Sequence, residues 1–413
     1  MVGLISSTHL GQSDLGFEVR FDDIEFIDTD EGSYLVLVSR ELDTAISYDL
    51  AGGLTSPSMV NSYNFPGYTG TPTGITPLEI GGDIYFGIEG LNSSRGYAVT
   101  FSSTGRINRK RFDGDIGIGH QMYGVGGVET AQAGTVIVGA LVDTQSIASY
   151  SMASDGTLNE ISGINLGNNQ VTTLHTLEMG EQTIVLYGST FDQSVTSLSV
   201  DAHGVLTKMD DIRAAQGLGV NTITDIKTVD MGGITYAIIA ASGSSSLSVL
   251  TLNASGEFTV VDHVIDSTGT RFGGARLMET ITINGVTFIA VAGHEDGVSL
   301  FTLMPDGTLA HRLSIEDTTE LGLATISSFK LTTSGDDLVM LITSSAETGV
   351  QSLTFSTNTD GVVKVANGGQ TLGTSDDDTL FGSSENDSLS GGSGDDFFFD
   401  GAGSDTISTG NGA

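Results

Sequence analysis

The sequence predicts an all-β protein: a seven-bladed β-propeller over residues 1–366, followed by a truncated parallel β-roll over residues 367–413. Three observations lead there. Glycine-led apolar strands recur seven times, about fifty residues apart. After Asn367-Gly-Gly the period falls to nine residues. No window shows sustained helical periodicity, and 57 glycines suit strands and turns.

The propeller units come first. A turn glycine precedes a continuous apolar strand at Gly32, Gly82, Gly134, Gly180, Gly233, Gly285 and Gly335. A second turn glycine recurs at Gly53, Gly105, Gly156, Gly204, Gly256, Gly307 and Gly361, at intervals of 52, 51, 48, 52, 51 and 54 residues. Each interval has room for four short strands. The second strand is a nearly unbroken apolar run, at 34–38, 84–88, 135–138, 183–187, 236–240, 288–292 and 338–342, so it is covered on both faces. The third alternates, as in Ile147-Ala-Ser-Tyr150-Ser-Met152, and ends in turns such as Ser154-Asp-Gly156 and Pro305-Asp-Gly307, which accommodate positive φ. Four antiparallel strands repeated seven times make a seven-bladed propeller. The absence of tryptophan argues against WD40 blades. Two strands compete to complete blade seven: residues 362–365 directly after it, or residues 2–7, which would join the two termini.

The unit Val298-Ser-Leu-Phe-Thr-Leu-Met-Pro-Asp-Gly-Thr-Leu309 resembles the blades of bacterial lactonase-type propellers, as does Ile147-Ala-Ser-Tyr-Ser-Met-Ala-Ser-Asp-Gly-Thr-Leu158. The resemblance concerns blade architecture over residues 20–366 and carries no catalytic signature, so no active-site residue is transferred from it.

The roll follows. Its apolar positions are Leu380, Leu389, Phe398 and Ile407, each two residues after Asp378, Asp387, Asp396 or Asp405. The unit Gly391-Gly392-Ser393-Gly394-Asp-Asp396-Phe-Phe-Phe matches G-G-x-G-x-D-x-U-x. Gly373-Thr-Ser-Asp-Asp-Asp378 and Gly382-Ser-Ser-Glu-Asn-Asp387 lack the second and fourth glycines; Asp400-Gly401-Ala-Gly403-Ser-Asp405 keeps them. A fifth unit starts at Thr409-Gly-Asn-Gly and stops, so the roll is expected to be incomplete. These in-phase repeats resemble the RTX (repeats-in-toxin) calcium-binding exoproteins. The resemblance implies Ca2+ as ligand, a secreted extracellular protein and type I export through a C-terminal signal.

Composition and the N-terminus alone would lead to an acidic cytosolic protein, an expectation that the RTX resemblance reverses. The net charge is −36, with nine acidic and no basic residues between Leu372 and Ala413. Such a surface repels phosphates and anionic lipids, so nucleic acid is not an expected partner. Without cysteine there is no disulfide framework, and stability must come from the core or from metal. Met1-Val-Gly-Leu-Ile-Ser-Ser-Thr-His-Leu10 lacks the basic and apolar regions of a Sec-type signal, and no apolar run reaches transmembrane length.

The candidate calcium ligands are Asp378, Asp387, Gly391, Gly392, Ser393, Gly394, Asp396, Gly401, Gly403 and Asp405. Calcium takes six to eight hard oxygens, and glycine turns expose carbonyls where a carboxylate completes the shell. A core of four apolar side chains is too thin to order forty residues unaided, so metal must supply the difference. Turns on one edge should be eighteen residues apart, placing Asp378 beside Asp396 and Asp387 beside Asp405. A second candidate site is the propeller channel. Aligned on the following glycine, the blades offer Glu25, Thr76, Glu129, His175, Lys227, Glu279 and Lys330. With Lys227 between His175 and Glu279, and Lys330 between Glu279 and Glu25, a charge-neutralising ring is favoured over a ligand pocket. Asp28-Thr-Asp30-Glu-Gly32 lacks the downstream glutamate of an EF-hand loop, His294-Glu-Asp296 lacks a second histidine at ligand spacing, and Ser93-Ser94 shows no nucleophile elbow. The sequence therefore favours a recognition or scaffold propeller, with an extracellular protein, glycan or matrix partner, over the alternative of an exported lactonase-type hydrolase.

Overall fold

Six of the fifty-residue units each close into one four-stranded antiparallel sheet, the seventh supplies three strands and takes its fourth from the N-terminus, and the sheets form seven blades. The computed structural model describes residues 2–65, 68–93, 97–111, 122–130, 133–141, 145–153, 158–180, 182–189, 191–357, 361–366 and 368–411. The turn at 154–156 lies outside the described residues, as does Ser94. The first strands of the blades are Asp23–Thr29, Tyr68–Ile80, Met122–Thr130, Val171–Met179, Ile223–Met231, Leu277–Ile283 and Ile326–Ser334. Each touches the first strand of the next blade, and the seventh touches the first, so these strands line the axis.

The apolar second strands build the core. Leu35, Val36, Leu37 and Val38 are fully buried, as are Ile238, Ile239, Phe288 and Ile289. Alternate side chains serve opposite neighbours: Ile239 packs into the cluster shared with blade four, Ile238 into the one shared with blade six. That two-sided packing is why the runs are continuous rather than alternating.

The second turn glycine has a tertiary cause as well as a local one. Gly105 and Gly307 have φ of +76° and +86°. A Cβ on either would lie 2.1 Å from the Tyr34 ring or 2.5 Å from the Tyr236 ring of the preceding blade. Those tyrosines donate to Ser103 O (3.1 Å) and Pro305 O (3.0 Å), tying each blade to the next turn. Ser149 and Ser197 do the same from the third strand, donating to Gly204 O and Gly256 O at 2.6 Å.

Blade seven is closed by the N-terminal strand Gly3–Leu10, antiparallel to Val350–Ser356 with Leu10 opposite Val350. Val2 is buried among Leu353, Phe355 and Phe329. The chain then turns through Gln12–Leu15 and drops Leu15, Val19 and Phe21 between blades seven and one, where the Tyr48 hydroxyl donates to Leu15 O at 2.9 Å. Of the two closures open in the sequence, the one joining the termini is formed.

The other candidate belongs to the roll. Val363–Val365 pairs in parallel with Thr379–Phe381, which pairs with Phe397–Phe399. The roll's first strand thus lies before the expected boundary at residue 367. Gly361 keeps the propeller's spacing yet sits against Asp378 in the roll's first turn. A second parallel sheet joins Gln370–Leu372, Ser388–Ser390 and Thr406–Ser408. Between the sheets lie buried Ala366, Leu380 and Leu389, with Phe398 packed against them.

Candidate functional site

Stacking of the roll turns at a spacing of eighteen residues is direct. The Asp378 N–H donates to Asp396 Oδ1 at 3.0 Å and the Asp387 N–H to Asp405 Oδ1 at 2.8 Å. Glycine is what allows this stacking. A Cβ on Gly392 would lie 2.1 Å from Thr374 O, on Gly394 2.5 Å from Asp376 O, and on Gly401 2.1 Å from Ser383 O. On Gly403 it would lie 2.6 Å from Glu385 O, and on Gly391 it would strike the Asp396 carboxylate. The inter-turn gaps are therefore lined by carbonyl and carboxylate oxygen, with room for no side chain.

The four aspartates are not equivalent. Asp378 and Asp387 are 0% and 3% exposed, and both oxygens of each carboxylate are satisfied. Asp378 accepts from the N–H of Val362 (2.7 Å) and of Thr374, and from the Thr374 hydroxyl. Asp387 accepts from Ser383 N–H (2.6 Å), Gly368 N–H (2.8 Å) and the Ser383 hydroxyl (2.9 Å). The Ser383 amide, then its hydroxyl and the glycine amides, hold the Asp387 carboxyl below the usual range. Asp396 differs: Oδ1 accepts one N–H, and Oδ2 is buried with no hydrogen-bond partner. Burial, with Asp378, Asp377 and Asp395 nearby, pushes its carboxyl up.

A buried carboxylate oxygen without a donor, beside carbonyl oxygens and further carboxylates, fits a hard cation and little else. Calcium would be held by Asp396 with the carbonyls of the turns at 373–378 and 391–396, and on the other edge by Asp405 with those at 382–387 and 400–405. Among the described residues no three His, Asp or Glu side chains converge on one point, so a metal here must draw on the backbone.

In the channel, six of the seven aligned residues share one level. Glu25, Thr76, His175, Lys227, Glu279 and Lys330 pair across the middle of the second strand, opposite Val36, Gly87, Leu186, Ile238, Ala290 and Leu341. Glu129 does not belong with them. It pairs with Thr135 beside the hairpin turn, because Gly134 sits nearer the strand end in blade three, and its side chain lies outside the described residues.

The charged members form one chain across four blades. Lys227 Nζ lies 3.1 Å from Glu279, and Lys330 Nζ lies 2.8 Å from Glu279 and 3.0 Å from Glu25. Burial would raise Glu279, but Lys227 and Lys330 outweigh it and hold the carboxyl below the usual range. One Lys330 cannot neutralise two carboxylates, and burial pushes Glu25 up to about 7. Burial, then the charge of Lys227, lowers His175 to about 4; its Nε2 lies 2.8 Å from the Thr228 hydroxyl.

Asp23 and Asp225, two residues upstream of Glu25 and Lys227, escaped the sequence reading. Their carboxylates brace the next blade, accepting the N–H of Ile75 (2.8 Å) and of Met278 (3.1 Å). Burial raises both, Asp225 to about 6. The shared frames Asp23-Ile-Glu25 and Asp225-Ile-Lys227 were the available signal. The acidic turns are engaged in the fold: Asp28 accepts from the Ser33 hydroxyl within its own hairpin, while Glu295 accepts from Gly273 N–H and Asp296 from Thr325 N–H in the segments leading into blades six and seven.

Comparison with known proteins agrees with both halves. Residues 372–407 and 390–413 match the RTX calcium-binding nonapeptide repeat, in four copies, so the C-terminal segment carries RTX repeats. No curated protein sequence matches the chain. Among solved structures, a protein from Lactobacillus plantarum aligns with TM-score 0.50 and 14% identity, over 73% of this chain and 86% of that one. A functionally unknown protein from Desulfotomaculum acetoxidans aligns with TM-score 0.50 and 12% identity, over 76% and 93%. At such identities the likeness is one of fold alone.

Proposed function

We propose that this is a secreted calcium-binding protein in which the RTX roll takes up Ca2+ outside the cell and the propeller presents a recognition surface to an extracellular protein, glycan or matrix partner. The observation that carries calcium binding is the buried, donorless Oδ2 of Asp396 in an oxygen-lined gap. Export fits a cysteine-free acidic chain whose RTX repeats are of a type implying a calcium-rich exterior. Among the described residues no helix is long and apolar enough to cross a membrane. The scaffold role, rather than lactonase-type hydrolysis, is supported by the channel, where the lysines and glutamates are engaged with one another.

Calorimetric titration of the whole chain tests the calcium reading. Ca2+ should bind with a dissociation constant on the order of 10⁻⁴ to 10⁻³ M, the range of extracellular modules. Asp396→Asn should weaken binding at least about tenfold by removing a charged ligand. Normal calcium binding by Asp396→Asn, or no heat at millimolar calcium, would remove the assignment.

A further inference from the structure

We infer that the first coil of the roll folds without calcium, on a template supplied by the propeller, and that calcium dependence begins only at Gly391. The inference rests on the calcium reading above and divides the four repeat aspartates into two kinds.

The first observation is chemical. Thr374 and Ser383 stand where the repeat carries its second glycine, and their hydroxyls donate to Asp378 and Asp387. Together with backbone amides they saturate both carboxylates, which are buried. A cation at either carboxylate would have to displace those donors, so the substitutions replace metal with internal hydrogen bonds. In the second coil the same positions are Gly392 and Gly401, which have no hydroxyl to offer, and Asp396 Oδ2 is left unpartnered. Repeats that look degenerate are therefore self-capped turns. Asp378 and Asp387 are removed from the calcium ligands and become structural.

The second observation is the roll's contact with the propeller. In the sheet containing Thr379–Phe381, the side chains facing away from the roll core are also covered: Thr379 and Phe381 are 4% and 3% exposed. Val363 packs against the apolar cluster of blades six and seven. The Arg312 guanidinium, on blade six, also lies 3.6 Å from the centroid of the Phe397 ring, a contact of the second coil, so docking alone does not separate the coils and the hydroxyl caps must. On the opposite sheet Gln370, Leu372, Thr406 and Ser408 are exposed. One sheet of the roll is thus docked on a preformed surface, which lowers the entropic cost of ordering its first coil.

Hydrogen exchange on the whole chain tests this. In excess chelator, amides between 373 and 390 should exchange at least about tenfold more slowly than those between 391 and 411; millimolar calcium should then protect the second group. The double variant Thr374→Gly/Ser383→Gly restores the repeat's glycines. It should lose first-coil protection in chelator and regain it in calcium. If both coils of the unmodified protein exchange alike in chelator and are protected together by calcium, the inference fails while calcium binding stands. If the double variant keeps its first coil protected in chelator, the hydroxyl caps are not the cause and the inference fails. If calcium changes protection nowhere, the calcium reading fails and the inference falls with it.

Discussion

Removing residues 2–10 is expected to open the propeller. The deletion takes the outer strand from blade seven and exposes the backbone edge of Val350–Ser356. Val2 and Leu10, both buried, are lost with it. Burying each such side chain is worth about 1.5–3 kcal/mol, and a free edge invites pairing with another chain. The combined loss is about 3–6 kcal/mol, lowering the thermal midpoint by about 4–8 °C. Differential scanning calorimetry and light scattering should show the earlier transition and association. A peptide of residues 1–10 added in trans should restore the midpoint by strand addition. An unshifted midpoint in the deletion variant would mean that Gly3–Leu10 does not close the ring.

Replacing Lys330 with methionine should be the most damaging single change in the channel. Lys330 is the only described cation within salt-bridge reach of Glu25, and it shares Glu279 with Lys227. Leaving buried carboxylates without their partner costs about 3–5 kcal/mol. The deficit should depend on pH, and its sign follows from Glu25. A carboxyl raised from 4.5 to about 7 on folding contributes stability below about pH 4.5 and loses it as pH rises through about 7. The Lys330→Met deficit should therefore grow between about pH 5 and 8, where ionised Glu25 has lost its counter-charge. Lys330→Met/Glu25→Gln should recover part of it. His175, lowered to about 4, contributes with the opposite sign, losing stability as pH falls from 6.5 through about 4. Denaturant melts of the variants across that range measure both limbs; a deficit independent of pH would contradict the ring.

Much of the architecture was legible because it is periodic. The second-strand runs showed that each blade is covered on both faces, and the nine-residue spacing placed Leu380, Leu389 and Phe398 at the inward positions of the roll, whereas Ile407 in the last strand is 44% exposed and joins no core. What escaped was set by tertiary partners. The choice between the two closing strands stayed open, because Gly3–Leu10 shows no blade signature whereas Gly361 and the short run after it keep the propeller's rhythm while belonging to the roll. Glu129 was misplaced because glycine alignment assumes hairpins of equal length. Left-handed turns at Asp43, Gln145, Gln193 and Ser245, just before third strands, carry no glycine to announce them. Thr374 and Ser383 read as decay of a motif until their hydroxyls were seen on Asp378 and Asp387.

The central claim is that calcium sits between stacked turns of the roll, on Asp396. Crystals grown with calcium, measured for anomalous scattering at long wavelength, test it most directly. The account predicts a peak about 2.3–2.6 Å from an Asp396 carboxylate oxygen, between the turns at 373–378 and 391–396. Anomalous density confined to the acidic turns around Glu295 and Asp296, or absent from the roll at millimolar calcium, would contradict it.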